Sequence, residues 1–363
     1  MPSAYKAKKT SQLLAFISNR VPFVARMFFI HHLQIMIKAG LSIVAALKIL
    51  EQEIENKKLK TIAQDIRQEV EKGKQLSEAL NKYPRVFPRV YVSMIEAGET
   101  AGKLEDALSQ VSLQMKKSHE LTAKIRGAMI YPAVVLIAMT GIGIEVVVFV
   151  LPKLMVMFNE FNAELPLPAR ILIAITNFFQ DYGIFAAIGL VLLVIILLWL
   201  SKKPKIKWQI HSFSLLLPIA GPIIKKINLA RFTMTLSSLL QSTIPIIEAV
   251  RITAEVQSNL IYKEKLLLVA EELKKGEALS KLLATYAKIF PPMVTEMIMV
   301  GEESGKVEEM LQEMAEYYGN EVDYTMKNFS TIIEPVIIIV MGLAVAGIAV
   351  AVIMPMYSLA QSF

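Results

Sequence analysis

The feature that most constrains this chain is a duplication. Residues 94–105, MIEAGETAGKLE, return almost letter for letter as MIMVGEESGKVE at residues 297–308. Gly98 pairs with Gly301, Glu99 with Glu302, Gly102 with Gly305, Lys103 with Lys306 and Glu105 with Glu308, each 203 positions apart. The same offset joins Lys72-Gly73 to Lys275-Gly276, Leu76-Ser77 to Leu279-Ser280, Tyr83 to Tyr286, Phe87-Pro88 to Phe290-Pro291, Pro132 to Pro335 and Pro152 to Pro355. One gapless unit, from about Phe29 to Pro152, is therefore present twice, and the rest of the chain joins and flanks the copies.

Composition narrows what that unit can be. Of the 363 residues 54% are apolar, and a mean hydropathy of +0.49 points to a membrane protein. With no cysteine and four histidines there is no disulfide framework, no thiolate metal site and no H-E-x-x-H spacing. The net charge of +7 is read as a mark of the cytoplasmic side rather than of nucleic-acid binding, for which the Arg-and-aromatic interleaving is missing.

Taken in order, residues 1–27 form a basic segment in which Lys6, Lys8, Lys9, Arg20 and Arg26 stand among Leu13, Leu14, Phe16 and Ile17. It reads either as a partly amphipathic stretch at the cytoplasmic membrane surface or as a frayed tail, and not as a signal peptide. Residues 28–128 carry apolar residues at helical spacing, with Leu33, Ile37, Leu41 and Val44 on one stripe and turn signals at Gly40, Gly73, Pro84–Pro88 and Gly98–Gly102. This predicts a bundle of about six short helices, and residues 231–331 predict its copy.

The turn GETAGK superficially suggests a phosphate loop. It is one residue short of the P-loop spacing, lacks the hydroxyl after the lysine, and follows a helical pattern rather than a strand. The expectation is a helix that ends in a left-handed Gly98, then a tight turn, then a new helix near Gly102 with Glu105 and Asp106 in its first turn. Gly98, Glu99 and Gly102, with Gly301, Glu302 and Gly305, thus form a repeated hinge motif with no catalytic, cofactor or metal role.

From Lys103 the helical pattern passes through Lys116, Lys117, Lys124 and Arg126 straight into the apolar residues 129–152. A continuous helix there is on the order of 70 Å long. Pro132, and Pro335 in the second copy, would kink it where it enters the membrane. The first span holds one ionisable residue, Glu145, whose counterpart is Ile348. A carboxylate in hydrocarbon is either partly solvated and bonded between helices or a contact for an incoming partner.

Residues 153–170 form a loop whose charges cancel, and residues 171–200 a second span with an interfacial start. A basic linker, residues 201–230, follows with Lys202, Lys203, Lys205 and Lys207. The positive-inside rule then puts both bundles and the N-terminus in the cytoplasm and the loop outside. Residues 332–354 make a third span and residues 355–363 an outer tail. Gly342 with Ala346, and Gly347 with Ala351, suit close helix packing in lipid. The fold class expected is all-α: a polytopic membrane protein with two homologous cytoplasmic bundles and three transmembrane helices.

The duplicated bundle-plus-span, the paired G-E-x-x-G turns, the Phe-Pro before each, Tyr131-Pro132 and Glu334-Pro335 at the span entries, and LPLPAR before the middle span resemble the type II secretion F family. Its members are inner-membrane platform proteins of type IV pilus assembly and type II secretion. Three features depart from the family pattern: a short segment before the first bundle, His31-His32 opening that bundle with Thr243 in place of the first copy's Gly40, and Glu145. The resemblance implies a platform in the bacterial inner membrane. Such a platform couples a cytoplasmic hexameric ATPase to insertion of pilin or pseudopilin subunits into a growing fibre, beside other inner-membrane assembly proteins and lipids, as a homodimer or higher oligomer. It implies no cofactor and no enzymatic activity; Glu145, which the family pattern does not supply, is a possible pilin contact on its own chemistry as a carboxylate in the first span.

Two other classes compete. A small transporter built from two repeats is the alternative, but three spans with one charge leave the large bundles without a role. An intramembrane protease or processing peptidase needs paired carboxylates or a Ser/His pair, and Glu145 stands alone.

Overall fold

The structure, a computed structural model, describes residues 21–150, 152, isolated positions between 174 and 201, and 203–361. The expected loop 153–170, most of the expected second span 171–200 and most of the basic segment 1–27 lie outside the described residues. Among those described, every regular element is helical. Two compact units result: Met1–Ala123 with His211–Val322, and Lys124–Ile210 with Asp323–Phe363.

The first unit holds both copies of the bundle. Copy one is α1 (Phe23–Lys38), α2 (Ile43–Glu53), α3 (Lys57–Glu71), α4 (Leu76–Asn81), α5 (Arg89–Thr100) and the first turns of α6 (Leu104–Glu145). After α7 (Pro204–Ser214), copy two repeats the series as α8 (Ala220–Gln241), α9 (Ile246–Val256), α10 (Leu260–Leu273), α11 (Leu279–Ala284), α12 (Pro292–Ser304) and α13 (Val307–Gln361). Three helices, α2, α3 and α10, start where a polar side chain takes up a free amide: Ser42 Oγ accepts from Ala45 N at 3.3 Å, Asn56 Oδ1 from Leu59 N at 2.9 Å, and Asn259 Oδ1 from Ile261 N at 2.8 Å. Helices α3 and α10 stop before left-handed residues in matching places, Gly73 (φ 88°) and Gly276 (φ 85°). Gly40 (φ 85°) is matched by Thr243 (φ 59°), so the second copy keeps the turn without the glycine that suits it.

Each bundle closes on the same aromatic pair. Phe29 meets Phe87 with ring centroids 5.6 Å apart, and the equivalent Phe232 meets Phe290 at 5.3 Å. The repeated Phe-Pro is thereby explained: the ring fills the core, and Pro88 or Pro291 is the N-cap of the next helix. Leu33, Leu47, Ile66, Leu80 and Leu108 are fully buried in the first bundle, and Ile62 nearly so.

The copies meet within this unit through polar contacts. Ser238 Oγ donates to Gln114 Oε1 at 2.8 Å, Gln114 Nε2 donates to Thr235 Oγ1 at 3.3 Å, and Arg89 pairs with Glu248 at 2.7 Å. Arg26 and Arg231 flank the buried Tyr91. Burial lowers both guanidinium pKa values and raises that of the phenol, which the two positive charges partly offset.

The second unit is built on the later parts of α6 and α13. Ile137 and Leu343 are among many large apolar side chains left exposed along them, a surface that lipid solvates and water does not. Leu104–Glu145 and Val307–Gly347 are each long and apolar enough to cross a bilayer by length and composition. Pro132 lies inside α6 and Pro335 inside α13, and both helices continue past them.

Two stretches outside the expected bundles and spans also carry helix. The linker 201–230 is largely helical: α7 occupies part of it, and α8 begins at Ala220, where Lys226 is held by an ion pair to Glu321 at 2.7 Å. The tail 355–363 is helical as far as Gln361, because α13 runs through Pro355.

Candidate functional site

The repeated motif folds into the same corner twice, and each of its residues has a separate task. At the end of α5, Lys103 N–H donates to Gly98 O at 2.7 Å and Gly102 N–H to Glu99 O at 3.1 Å, the paired bonds of a Schellman turn. The turn needs a left-handed residue, supplied by Gly102 (φ 69°) and in copy two by Gly305 (φ 70°). Lys306 N–H donates to Gly301 O at 2.8 Å in the second corner. The expectation that Gly98 is the left-handed residue is therefore corrected: Gly98 lies inside α5, and α6 starts two residues after Gly102.

Gly98 is instead required by proximity. A Cβ placed on it would overlap the Cβ of Ala107 in the first turn of α6 and would lie 3.0 Å from Lys103 O. On Gly301 it would lie 2.8 Å from Val307 Cα. Absence of a side chain lets the outgoing helix fold tightly against the incoming one.

Glu99 makes a connection that a local reading of the motif misses. Its carboxylate accepts from Leu76 N at 2.6 Å and Ser77 N at 2.8 Å, the first free amides of α4. Glu302 does the same for Leu279 N at 2.6 Å and Ser280 N at 3.2 Å, with a further bond from Ser280 Oγ. Charge-assisted bonds from helix N-terminal amides are among the stronger ones available. The corner thus carries its own internal anion where a phosphate loop would bind an external one. The signal was present in the sequence, since Leu76-Ser77 and Glu99 repeat at one offset, but pairing them requires a contact across some twenty residues.

The other candidates are placed as follows. His31 Nδ1 lies 3.1 Å from Ser112 Oγ and His32 Nδ1 3.5 Å from Glu53, so the pair joins α1 to its neighbours. Glu145 is exposed and is the last residue of α6 before a π-helical turn, Val146–Val150. Such turns widen the backbone and recur at functional positions. Among the described residues no group of three His, Asp or Glu is arranged to hold a metal.

A groove of about 850 Å³ opens beside the first corner, lined by Ser77, Arg89, Glu96, Thr100, Thr243 and Glu248. Nearby on α3, Glu69 is gripped by Lys74 and Lys82 at 2.6 Å each and by Lys72 at 3.3 Å. Hydrogen bonds from these ammonium groups hold its carboxyl at about 2, well below the ordinary 4.5.

Comparison with known proteins gives a consistent picture. The family described as type II secretion system (T2SS), protein F matches residues 29–152 and again 232–355. A type IV pilus assembly protein PilC of Thermus thermophilus is 34% identical over 335 residues, covering 91% of this chain and 81% of the relative. Another PilC, from Myxococcus xanthus, is 32% identical over 90% of this chain and 78% of its own length. A type II secretion system protein F of Vibrio cholerae is 32% identical over 88% and 79%.

Proposed function

Because the chain belongs to the type II secretion system protein F family, we propose that it is the inner-membrane platform of a pilus or secretion machine, converting work by a cytoplasmic hexameric ATPase into insertion of pilin or pseudopilin subunits. One observation carries this reading: the same pinned corner occurs twice, and each time it launches a helix that is both part of a bundle and long enough to cross a bilayer. Within each bundle the helix is packed through residues such as Leu108, Val111 and Met115, or Leu311 and Met314. Two such helices give one cytoplasmic event two outlets into the membrane. Energy comes from the partner and not from the platform, whose corner is filled by its own carboxylate.

In this reading the bundles engage the ATPase, the apolar parts of α6 and α13 receive the pilin helix, and the N-terminus is cytoplasmic with the C-terminus outside. Pro132 and Pro335 set a change of direction at membrane entry. Glu145, beside the π-helical turn, pairs with a positive group on the incoming subunit. The alternative of a two-repeat transporter finds no support, since the relatives are named for pilus assembly and secretion.

The test is crosslinking in native membranes followed by purification of the full chain. An assembly ATPase and a pilin or pseudopilin are the expected companions, and recovery of neither overturns the proposal.

A further inference from the structure

From the end of α7 to the start of α8 the chain holds four large apolar side chains in the open: Phe213 is 62% exposed, Leu216 78%, Leu217 37% and Ile219 64%. A run like this normally folds inward. Its backbone is nevertheless fastened to the bundle. His211 O accepts from Asn259 Nδ2 at 3.2 Å and His211 Nδ1 from Leu260 N at 2.9 Å, while Asn228 Oδ1 accepts from Asn259 N at 3.2 Å. Gly221 N–H donates to Leu217 O at 2.8 Å, and Leu215 O occupies the space a Cβ on Gly221 would need. The exposure is thus built into the fold.

The helix that follows the run is itself held to α13: Gln241 Nε2 donates to Gln312 Oε1 at 3.0 Å, Ser237 Oγ to Glu308 O at 3.2 Å, and Lys226 pairs with Glu321 at 2.7 Å. Residues 213–219 close α7 and make the turn that precedes α8. The basic residues Lys203, Lys205 and Lys207 stand ten, eight and six residues before Phe213 in the chain. The repeat offset of 203 also aligns Leu216, Leu217 and Ile219 with Leu13, Leu14 and Phe16, so the apolar pattern belongs to both copies.

We propose that residues 213–219 are a membrane-surface anchor, with Phe213, Leu216 and Ile219 inserted in the interfacial layer of the bilayer and Lys203, Lys205 and Lys207 facing anionic headgroups. The inference rests on the membrane-platform reading. Lysines beside the apolar run match an anionic lipid surface. A second copy of the chain would bring an identical basic run and fits the patch less well.

The absence of cysteine makes the test direct. Leu216→Cys and Ile219→Cys give two single attachment sites for a nitroxide label in the full chain, reconstituted into vesicles of phosphatidylglycerol and phosphatidylethanolamine. Electron paramagnetic resonance then compares collisions with oxygen, which concentrates in lipid, and with a nickel chelate, which stays in water. At both positions oxygen is expected to dominate, with the depth decreasing in purely zwitterionic vesicles. Two controls frame the result: Glu277→Cys, on an exposed surface of the bundle, and Leu343→Cys, in the apolar part of α13. A label at Leu216 and Ile219 as open to the chelate as that at Glu277 overturns the anchor, and shielding from both reagents overturns it in favour of a protein cover. Loss of the depth change without anionic lipid overturns the lysine contribution. Were Leu343 also in water, the membrane reading itself would fail, which separates the two ideas.

Discussion

Glu99 Oε1 lies 2.6 Å from the amide nitrogen of Leu76, and the second copy reproduces the contact between Glu302 and Leu279 at the same 2.6 Å. The carboxylate closes the N-terminus of a six-residue helix that has no side-chain cap of its own. Charge-assisted hydrogen bonds of this kind contribute on the order of 1.5–3 kcal/mol. Glu99→Ala is expected to lower stability by about 2 kcal/mol and to raise amide hydrogen exchange at Leu76 and Ser77 while leaving Leu279 protected. Unchanged exchange at those two amides would show that water replaces the carboxylate without loss.

The two glycines of the corner respond differently to alanine. At Gly102 the added methyl meets open space, so only the left-handed backbone is penalised, by about 1 kcal/mol. At Gly98 it runs into Ala107 and requires helix α6 to move. Gly98→Ala is therefore expected to lower the thermal midpoint of the detergent-purified chain more than Gly102→Ala does. Ala107→Gly in the same chain should restore most of the loss, and a double-mutant cycle measures the coupling. Simple additivity would sink the close-approach argument.

These residues also show where sequence reading succeeds and where it stops. The two bundles of six helices are visible in the sequence because Gly40, Gly73 and Phe87-Pro88 punctuate it, and the repeat at Thr243, Gly276 and Phe290-Pro291 gives each boundary twice. Gly98 was misplaced because a glycine near a helix end looks the same whether it serves a left-handed turn or a close packing contact. Only the position of Ala107 distinguishes them. Glu99 was marked by its repetition, yet its partner lies on another helix, beyond the reach of local periodicity. The early start of α8 is hidden for a related reason: Lys226, in its second turn, is held by Glu321, nearly a hundred residues away in the chain.

Thr243 adopts φ 59°, a conformation that is unfavourable for a β-branched residue and that its counterpart Gly40 occupies freely. Thr243→Gly should stabilise the second bundle by about 1 kcal/mol, the usual cost of this geometry, offset in part by the greater freedom of glycine in the unfolded chain. Gly40→Thr should do the reverse in the first. Thermal unfolding of the two variants is expected to move in opposite directions, and a shift of the same sign in both would contradict the equivalence of the two turns.

Glu69 gives the first bundle a pH dependence of definite sign. Hydrogen bonds from Lys74, Lys82 and Lys72 depress its carboxyl from 4.5 to about 2. A carboxylate that is harder to protonate in the folded state stabilises that state fully above its unfolded value, and the contribution is lost as pH falls through the folded one. The stability difference between the native chain and Glu69→Gln is therefore expected to be constant above pH 4.5 and to close as the pH drops toward about 2. Its repeat partner Glu272 pairs with Lys275 in an exposed pair, so Glu272→Gln should have a smaller effect. A pH-independent difference at Glu69 would rule out the lysine grip as its origin.

The functional weight of the corner is tested by valine at its left-handed glycines. A β-branched side chain at φ 69° or 70° resists the Schellman turn, so Gly102→Val and Gly305→Val alter the direction in which α6 and α13 leave their bundles. The apolar stretches that enter the membrane are untouched, and the protein should appear in the membrane fraction in ordinary amounts. Fibre assembly or secretion should nevertheless be lost, because a misdirected helix no longer carries motion from bundle to bilayer. Immunoblots of membranes together with fibre counts separate the two readouts. Glu145→Gln provides the contrast: it leaves both corners intact, so a slowed assembly rate would support the proposed pilin contact and a normal rate would count against it. Normal fibres from chains carrying both valines would mean that the corners fix the fold without transmitting work.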